Sequence, residues 1–172
     1  MNEHGERQTL IQQYADGTTR LRGALAQVPL AALAWRPDVG EWSVHEIVCH
    51  CADSETNAAS RIRYLAAEKD LILEGYNPAV WATTFDYHNH PFDLALNTVE
   101  AVRANTAALI KRLPPETWER HVQHKTKGRY SAYDWLCTYA THLHEHSAQI
   151  ESNMAAWRKV ISSRKSSPSL RP

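Results

Sequence analysis

The chain has 172 residues, enough for one domain with its own core, and 43% of them are hydrophobic. Nineteen basic residues balance nineteen acidic ones, so charge gives no reason to expect nucleic acid or an anionic membrane as the partner. The sequence MNEHGERQ at the N-terminus lacks a signal-peptide core, and no apolar run approaches the ~20 residues that span a bilayer. Three cysteines cannot all pair within one chain, which favours reduced thiols and a cytoplasmic location.

The first two predicted helices lie in the first third of the chain. Apolar residues at helical spacing predict a helix at about residues 8–27. Pro29, Pro37 and Gly40 then indicate a connecting loop. Ser43 and Glu46 have the spacing of a capping box, in which each side chain binds the free backbone N–H of the other residue. The second helix is therefore expected to begin at this pair.

A long connection is predicted between the second and third helices. It is bracketed by Gly75, Pro78 and Pro91, and its aromatic residues are Trp81, Phe85 and Tyr87. A connection of this length is uncommon in a compact domain and is often functional, so we expect a short helical turn that serves as a lid. The third helix begins near Pro91, because proline suits a first helical turn, and it ends at residues 114–115.

Residues 116–130 are polar and predict a short turn or hairpin before the fourth helix. Ser131 and Asp134 form a second predicted capping box, and that helix continues to about residue 160. We therefore assign residues 1–160 to a single domain and expect residues 161–172 to form a disordered tail. Four helices, each with one apolar face, indicate an all-α four-helix bundle.

Two histidines of the fourth helix are the strongest candidates for chemistry. The segment YATHLHEHSAQI, at residues 139–150, places His142 and His146 four residues apart, and such residues share one helical face. Their face also carries apolar and aromatic residues, so the pair is expected to point inward. Ten histidines make this spacing common by chance, and the inward position therefore carries the argument. Two imidazoles at this spacing can bind one divalent metal ion.

His50 of the second helix is the candidate for a third ligand. A catalytic metal usually takes three protein ligands and keeps one position open. His50 lies on or beside the buried face of its helix, and with His142 and His146 it would suit zinc, nickel or ferrous iron. The alternative is a histidine at the edge of the core that is bonded to a carbonyl. Composition and spacing alone leave these two interpretations open.

The motif WSV at residues 42–44, His50, and the stretch from Gly128 through HLHEHSAQI at residues 142–150 resemble the DinB family of bacterial proteins. This family is also known as the DinB/YfiT-like metalloenzymes. The resemblance covers about residues 8–160, and the order and spacing of the elements agree as well. It implies an up–down–down–up bundle with a long crossover between the second and third helices. It also implies a divalent metal, zinc or nickel or else iron, held by His50, His142 and His146.

Several polar residues near these ligands have two interpretations. Carboxylates that could orient a ligand imidazole, or lie on a solvated helix face, are Asp53, Glu55 and Glu145. Side chains that could meet an anionic substrate, although surface charge pairing is the commoner use, are Arg61, Arg63 and Tyr64. Crossover residues that could approach the metal, although loop histidines without a special role are commoner, are His88 and His90.

The remaining candidates are expected to be structural. Histidines predicted to point away from the site or to lie at the surface are His45, His121, His124 and His144. Cysteines predicted to be small apolar fillers of the core are Cys49, Cys51 and Cys137. Tryptophans that could wall an apolar pocket beside the site are Trp42 and Trp135.

Three functions follow from these observations, each with a small-molecule substrate or ligand. The resemblance favours a thiol-dependent S-transferase that uses bacillithiol, mycothiol or glutathione, since related families include such enzymes, and homodimers recur among them. Other relatives are described as metal-dependent hydrolases, in which the metal activates water. The third hypothesis is a non-enzymatic, metal-stabilised stress protein that binds a small molecule. A fourth protein ligand that closes the metal site would favour this third hypothesis.

Overall fold

The computed structural model describes residues 3–166, and helices dominate it. The helices are α1 (Glu3–Leu25), α2 (Leu30–Leu33), α3 (Val44–Ala67), α4 (Pro78–Thr84), α5 (Phe92–Ile110) and α6 (Ala132–Ser166). The strands are β1 (Ile72–Leu73), β2 (His121–His124) and β3 (Gly128–Ser131), and a 3₁₀ turn spans Pro115–Glu119. The four long helices α1, α3, α5 and α6 form the expected bundle. α4 lies in the long crossover between α3 and α5, where a short helical turn was predicted.

Hydrogen bonds along the bundle define the direction of each helix. Three of them join α1, or the residues just after it, to α6 at the same sequence separation: Gln13 to His144, Arg20 to Glu151 and Gln27 to Arg158. A constant separation means that α1 and α6 run in parallel. α3 runs in the opposite direction to α6, because its residues contact α6 in reverse order: His50 meets His146, and Ala58 accepts from Trp135.

α5 completes the arrangement. It runs parallel to α3, since His45 contacts Phe92 and Glu55 pairs with Arg103 further along both helices. It runs antiparallel to α1, where Arg22 pairs with Glu100 and Arg103 meets the earlier residues of α1. The order up–down–down–up is therefore confirmed. Because α3 and α5 run in the same direction, the chain needs the long crossover to lead from the end of α3 back to the start of α5.

Both predicted capping boxes are present. At the start of α3, Ser43 Oγ accepts from the backbone N–H of Glu46, and Glu46 accepts from the backbone N–H of Ser43. At the start of α6, Ser131 and Asp134 exchange the same pair of hydrogen bonds, of 2.8 and 3.0 Å. These boxes satisfy backbone donors that a helix start leaves free. They fix where the two helices that carry the histidines begin.

A small three-stranded sheet covers one end of the bundle. Residues 121–131 form the predicted hairpin, in which β2 and β3 pair antiparallel, with Gly128 at a positive φ of 74°. β1 was not predicted from the sequence, and it pairs in parallel with β2. Two residues are too few to show a strand periodicity, and only the tertiary fold aligns them with the hairpin. The sheet is minor beside the helices.

α6 is longer than predicted. It runs to Ser166, six residues past the expected end, because the chain offers no helix breaker before Pro168. Residues 161–166 of the expected tail are therefore helical, and residues 167–172 lie outside the described part of the chain. Within residues 3–166, no helix combines the length and the apolar character needed to cross a membrane.

The buried apolar residues form two clusters, one toward each end of the bundle. One cluster contains Tyr14, Ala58, Ala107 and Tyr139, and the other contains Leu21, Ala52, Val99 and Leu143. On every bundle helix a break of a few residues separates the two clusters. The break holds buried polar side chains, among them Glu55 and Arg103. We call this the polar layer, and His142 lies beside it.

Candidate metal centre

The three predicted histidines lie together between α3 and α6. One ring nitrogen from each of His50, His142 and His146 lies within 4.8 Å of those of the other two. The ring centres are 5.5 Å apart for His50 and His142, 4.8 Å for His50 and His146, and 4.6 Å for the pair on α6. The i, i+4 spacing stacks the two α6 rings, and the antiparallel packing of α3 brings His50 against them.

Hydrogen bonds orient two of the rings. His146 donates from Nδ1 to Oε1 of Gln149 over 2.9 Å, which leaves its Nε2 lone pair free to bind a ligand. Nδ1 of His142 faces Oε1 of Glu55 at 3.4 Å, and Ser54 donates to Nε2 of His142 over 3.2 Å. The Nε2 lone pair of His142 therefore points away from Glu55. A partner on the far nitrogen is the usual arrangement for a metal-binding imidazole.

The environment keeps two of the rings neutral. Burial and the two neighbouring histidines lower the pKa of His50 to about 3. Burial and His142 likewise lower the pKa of His146 to about 4, although its bond to Gln149 opposes the change. A neutral imidazole carries the lone pair that a metal ion needs, and a protonated one does not. These two rings are thus ready to bind a metal at neutral pH.

The histidines fit a divalent metal by two further observations. The Nδ1 atom of His50 is buried without a hydrogen-bond partner, a state that costs about 1–3 kcal/mol in the absence of compensation. Across the described residues, no cysteine or carboxylate joins the three histidines as a fourth ligand. Three ligands with one position left open is the pattern of catalytic zinc sites, and structural sites are closed by four.

The polar layer contacts His142 on the side of its Nδ1 atom, through Glu55. Glu55 is 0% exposed, and its Oε1 accepts from Nη1 of Arg103 over 2.6 Å. Its Oε2 accepts from the hydroxyl of Tyr14 over 3.2 Å. Burial opposes ionisation of Glu55, but His142 and Arg103 outweigh it and hold the pKa of this carboxyl below its usual value. An ionised Glu55 favours a proton on Nδ1 of His142.

Arg103 is itself fully bonded. It donates from Nε to the backbone oxygen of Tyr14 and from Nη2 to that of Tyr139, and it stacks 3.5 Å from the centre of the Tyr14 ring. Gly17 makes room for it, since a Cβ there would lie 2.8 Å from Nη2. Glu55 was predicted either to orient a ligand or to lie on a solvated face, and the second alternative is wrong.

Aromatic side chains cover the histidines. The Trp42 indole lies over His50 with a ring-centre distance of 4.8 Å, so the predicted wall is confirmed for this residue. Trp42 also lines a cleft of about 410 Å³ beside α4, together with Ala82 and His88. At the end of the crossover, the Tyr87 hydroxyl donates to Asp53 over 2.5 Å and fastens the crossover to α3.

Four predictions about individual side chains are wrong. His124 was expected at the surface but is buried, because the hairpin packs it against Tyr130. His144 was expected to face solvent, but it donates to the backbone oxygen of Gln13 at the contact with α1. Cys137 was expected in the core but is exposed. For Arg61, the alternative of charge pairing at the surface is wrong, because the residue is buried.

Other expected placements are confirmed. His45 points away from the site and donates to the backbone oxygen of His90. Exposed side chains, none of them near enough to join the three histidines, are His88, His90, His121 and Glu145. Trp135 is buried among Tyr14 and Tyr139 rather than beside the histidines. It therefore belongs to the core, and in contrast to these placements the prediction that Trp135 walls the site is wrong.

Arg103 and Ser54 were missed by the sequence analysis. Arg103 follows Val99 by four residues on the apolar face of α5, and a charged residue on such a face was the available signal. Ser54 follows His50 by four residues on α3, so it shares the face of the ligand. Neither position can be assigned a partner until the neighbouring helix is placed.

The three cysteines should differ in reactivity. Burial and the nearby Asp53 carboxylate raise the pKa of Cys49 to about 12, and burial raises the pKa of Cys51. Because the thiolate is the reactive form, native protein is expected to react at Cys137 alone with a thiol reagent such as dithionitrobenzoate. All three cysteines should react after denaturation. Rapid reaction of more than one thiol per native chain would contradict this assignment.

The chain belongs to the DinB superfamily, whose family model matches residues 13–150. A protein of Oceanobacillus iheyensis named as a metal-dependent hydrolase is 32% identical over 113 residues, which are 66% of this chain and 65% of that protein. The chain thus covers less than two thirds of that relative. A protein of Bacillus cereus with the same name is 28% identical over 144 residues, or 84% of this chain and 83% of its own length.

Two solved structures share the fold. YfiT from Bacillus subtilis, suggested to be a metal-dependent hydrolase with an unusual four-helix bundle topology, has a TM-score of 0.80 at 22% identity. The match covers 89% of this chain and 87% of YfiT. A mycothiol-dependent maleylpyruvate isomerase has a TM-score of 0.69 at 13% identity, over 87% of this chain and 63% of that one. The predicted DinB/YfiT-like bundle is therefore confirmed.

Proposed function

We propose that this chain is a metal-dependent enzyme in which His50, His142 and His146 bind one divalent ion, either zinc or nickel, or else iron. The observation that carries the proposal is the convergence of three largely buried imidazoles without a fourth protein ligand. A closed site would have favoured the non-enzymatic stress protein. The metal-dependent names of the relatives also support the proposal.

The residues around the histidines have separate roles in this proposal. A metal ion held there would supply the Lewis acidity that activates water or a thiol as a nucleophile near neutral pH. Glu55 favours the proton of His142 on Nδ1, which would leave the Nε2 lone pair free to hold the ion. Trp42 shields His50 from water. Ser54 has a hydroxyl beside Nε2 of His142, where it can bind a polar atom of the substrate.

We propose transfer of a low-molecular-weight thiol, such as bacillithiol, mycothiol or glutathione, to a small electrophile as the reaction. The family resemblance of the sequence supports this choice, and the mycothiol-dependent isomerase shows that the fold can host thiol chemistry. Hydrolysis is the second candidate, because the relatives are named as hydrolases. A cytoplasmic location, homodimers and a link to stress stay predictions. The free cysteines agree with the predicted cytoplasmic location.

The metal assignment is tested by the metal content of protein purified without an affinity tag. We expect about one divalent ion per chain in the wild type and a large loss in His142→Asn and His146→Asn, since each variant removes one of three ligands. The matched control is His144→Asn, which lies between them on α6 and contacts α1 instead. Equal metal content in all four proteins would contradict the proposal.

The reaction is tested with metal-loaded wild type and His142→Asn, incubated with an electrophile and a panel of bacterial thiols. Conjugates that form only with the wild type would support thiol transfer. Hydrolysis of ester or amide substrates by the wild type, without conjugates, would instead support the second candidate. The parallel His144→Asn sample should behave like the wild type.

A further inference from the structure

Arg61 is a buried cation that has only neutral partners. It is 9% exposed, and its Nη2 donates to the backbone oxygen of Glu74 over 2.5 Å. The guanidinium also lies 5.9 Å from the centre of the Tyr76 ring and beside the Tyr139 hydroxyl. Within residues 3–166, no carboxylate forms an ion pair with it.

The nearby His124 does not neutralise this charge. Its Nδ1 accepts from the backbone N–H of Thr126, and burial and then the Arg61 charge lower its pKa. Arg103 shows the contrast, because this arginine is 0% exposed and is paired with Glu55. A buried charge without a counter-ion is costly, so its retention suggests that an anion binds there in the working protein.

Arg61 also belongs to the same face as the candidate metal ligand on its helix. His50, Ser54 and Arg61 are four and eleven residues apart, which places them within about 40° of one another around α3. Helical side chains lean toward the N-terminus of their helix. The guanidinium of Arg61 is therefore directed from its own turn back toward Ser54 and the histidines.

Two residues connect Arg61 to the metal centre. The Ser54 hydroxyl lies 3.2 Å from Nε2 of His142, and it also lies near the hydroxyl of Tyr76. Tyr76 stacks on Trp81 of the crossover at 4.2 Å, and its ring borders Arg61. A small molecule that reaches the open metal position would thus meet Ser54 and Tyr76, with Arg61 behind them.

We propose that Arg61, with the hydroxyls of Tyr76 and Tyr139, binds a carboxylate of the small molecule on which the three-histidine centre acts. This inference rests on the proposed function and narrows its ligands to compounds that carry a carboxylate. A guanidinium presents several N–H donors in a plane that matches a carboxylate, and here Glu74 takes one of them. The carboxylate belongs either to the substrate or to the thiol.

The test compares acids with their amides, which have nearly the same size and shape but carry no charge. Butyrate and butyramide are titrated into nitrogen-15-labelled, metal-free protein, and binding is followed by backbone amide shifts. We expect the wild type to bind the acid at least about tenfold more tightly, the size expected for one charged hydrogen bond. Arg61→Met should bind both equally. Arg63→Met is the matched control and should keep the preference, because the bond that Arg63 donates goes to the backbone oxygen of Ala59 in its own helix.

A second arm identifies the source of the carboxylate. 3-Mercaptopropionate and its amide are titrated into the cobalt-loaded proteins, and thiolate–cobalt absorption reports binding. A preference for the acid with butyrate assigns the carboxylate to the substrate, and a preference only with the mercapto acid assigns it to the thiol. Equal binding of acid and amide in both arms, or a preference that survives in Arg61→Met, would overturn the inference.

The experiments distinguish a failure of the proposed metal site from a failure of the proposed carboxylate site. Wild-type protein that binds no cobalt, shown by absent d–d bands, would defeat the proposed function, whereas an acid preference in the metal-free arm would still uphold the anion site. A purely structural Arg61, which only holds Glu74, predicts a lower melting temperature in Arg61→Met and no acid preference in the wild type. The wild-type comparison therefore decides the matter even if the variant folds poorly.

Discussion

Arg103→Met is expected to lower the free energy of unfolding by about 3–5 kcal/mol, because it leaves the buried Glu55 carboxylate without its counter-ion. The backbone oxygens of Tyr14 and Tyr139 would lose their donor as well. For a chain of this size the melting temperature should fall by the order of 10 °C. Urea unfolding of metal-free protein, followed by circular dichroism, measures the change.

Two further variants separate the charge from the packing. Arg112→Met removes an exposed arginine that donates to the backbone oxygen of Ala108, and it should change stability by no more than about 0.5 kcal/mol. Adding Glu55→Gln to Arg103→Met removes the stranded charge, so the double variant should regain part of the lost stability. A double variant less stable than Arg103→Met alone would show that the ion pair is not the origin of the effect.

Zinc is expected to stabilise the metal-free protein by about 4 kcal/mol when free zinc reaches about 1,000 times its dissociation constant. The cause is selective binding to the folded chain, where the three histidines are brought together from two helices. The unfolded chain holds His50 far in sequence from the pair on α6. Differential scanning calorimetry at several zinc concentrations measures the shift in melting temperature.

Variants of the histidines test whether zinc stabilises the protein through the three-histidine site. His50→Asn should lose most of the zinc-dependent shift, whereas His45→Asn, five residues earlier on the same helix, should keep it, because His45 contacts the crossover instead. A shift of equal size in both variants would mean that zinc binds elsewhere on the surface. Nickel and ferrous iron tested in the same way would rank the three metals.

The sequence alone predicted the features that depend on a fixed spacing of nearby residues. The capping boxes at Ser43 and Ser131 gave the starts of α3 and α6 to the residue, since the motif requires a fixed spacing. The i, i+4 pair at His142 and His146 was predictable for the same reason. His50 needed more, because its approach to the pair depends on how α3 packs against α6.

The polar partners of the site could not be predicted, because each joins residues far apart in the chain. Glu55 meets Arg103 across 48 positions, and Tyr14 meets Glu55 across 41. Arg61 resembled a surface arginine, since its burial arises from β1 and the loop that follows, which have no clear sequence pattern. Local spacing therefore indicated the ligands and left the groups that orient them undetermined.

The polar layer also restricts how the four helices can slide past one another. Moving α5 along its neighbours by one helical turn, about 5.4 Å, would carry Arg103 from Glu55 into an apolar cluster. The hydrogen bonds and the ion pair that cross the bundle at this level thus select one alignment of the helices. A purely apolar core would tolerate several alignments. The same alignment is the one in which the imidazoles of α3 and α6 stand opposite each other.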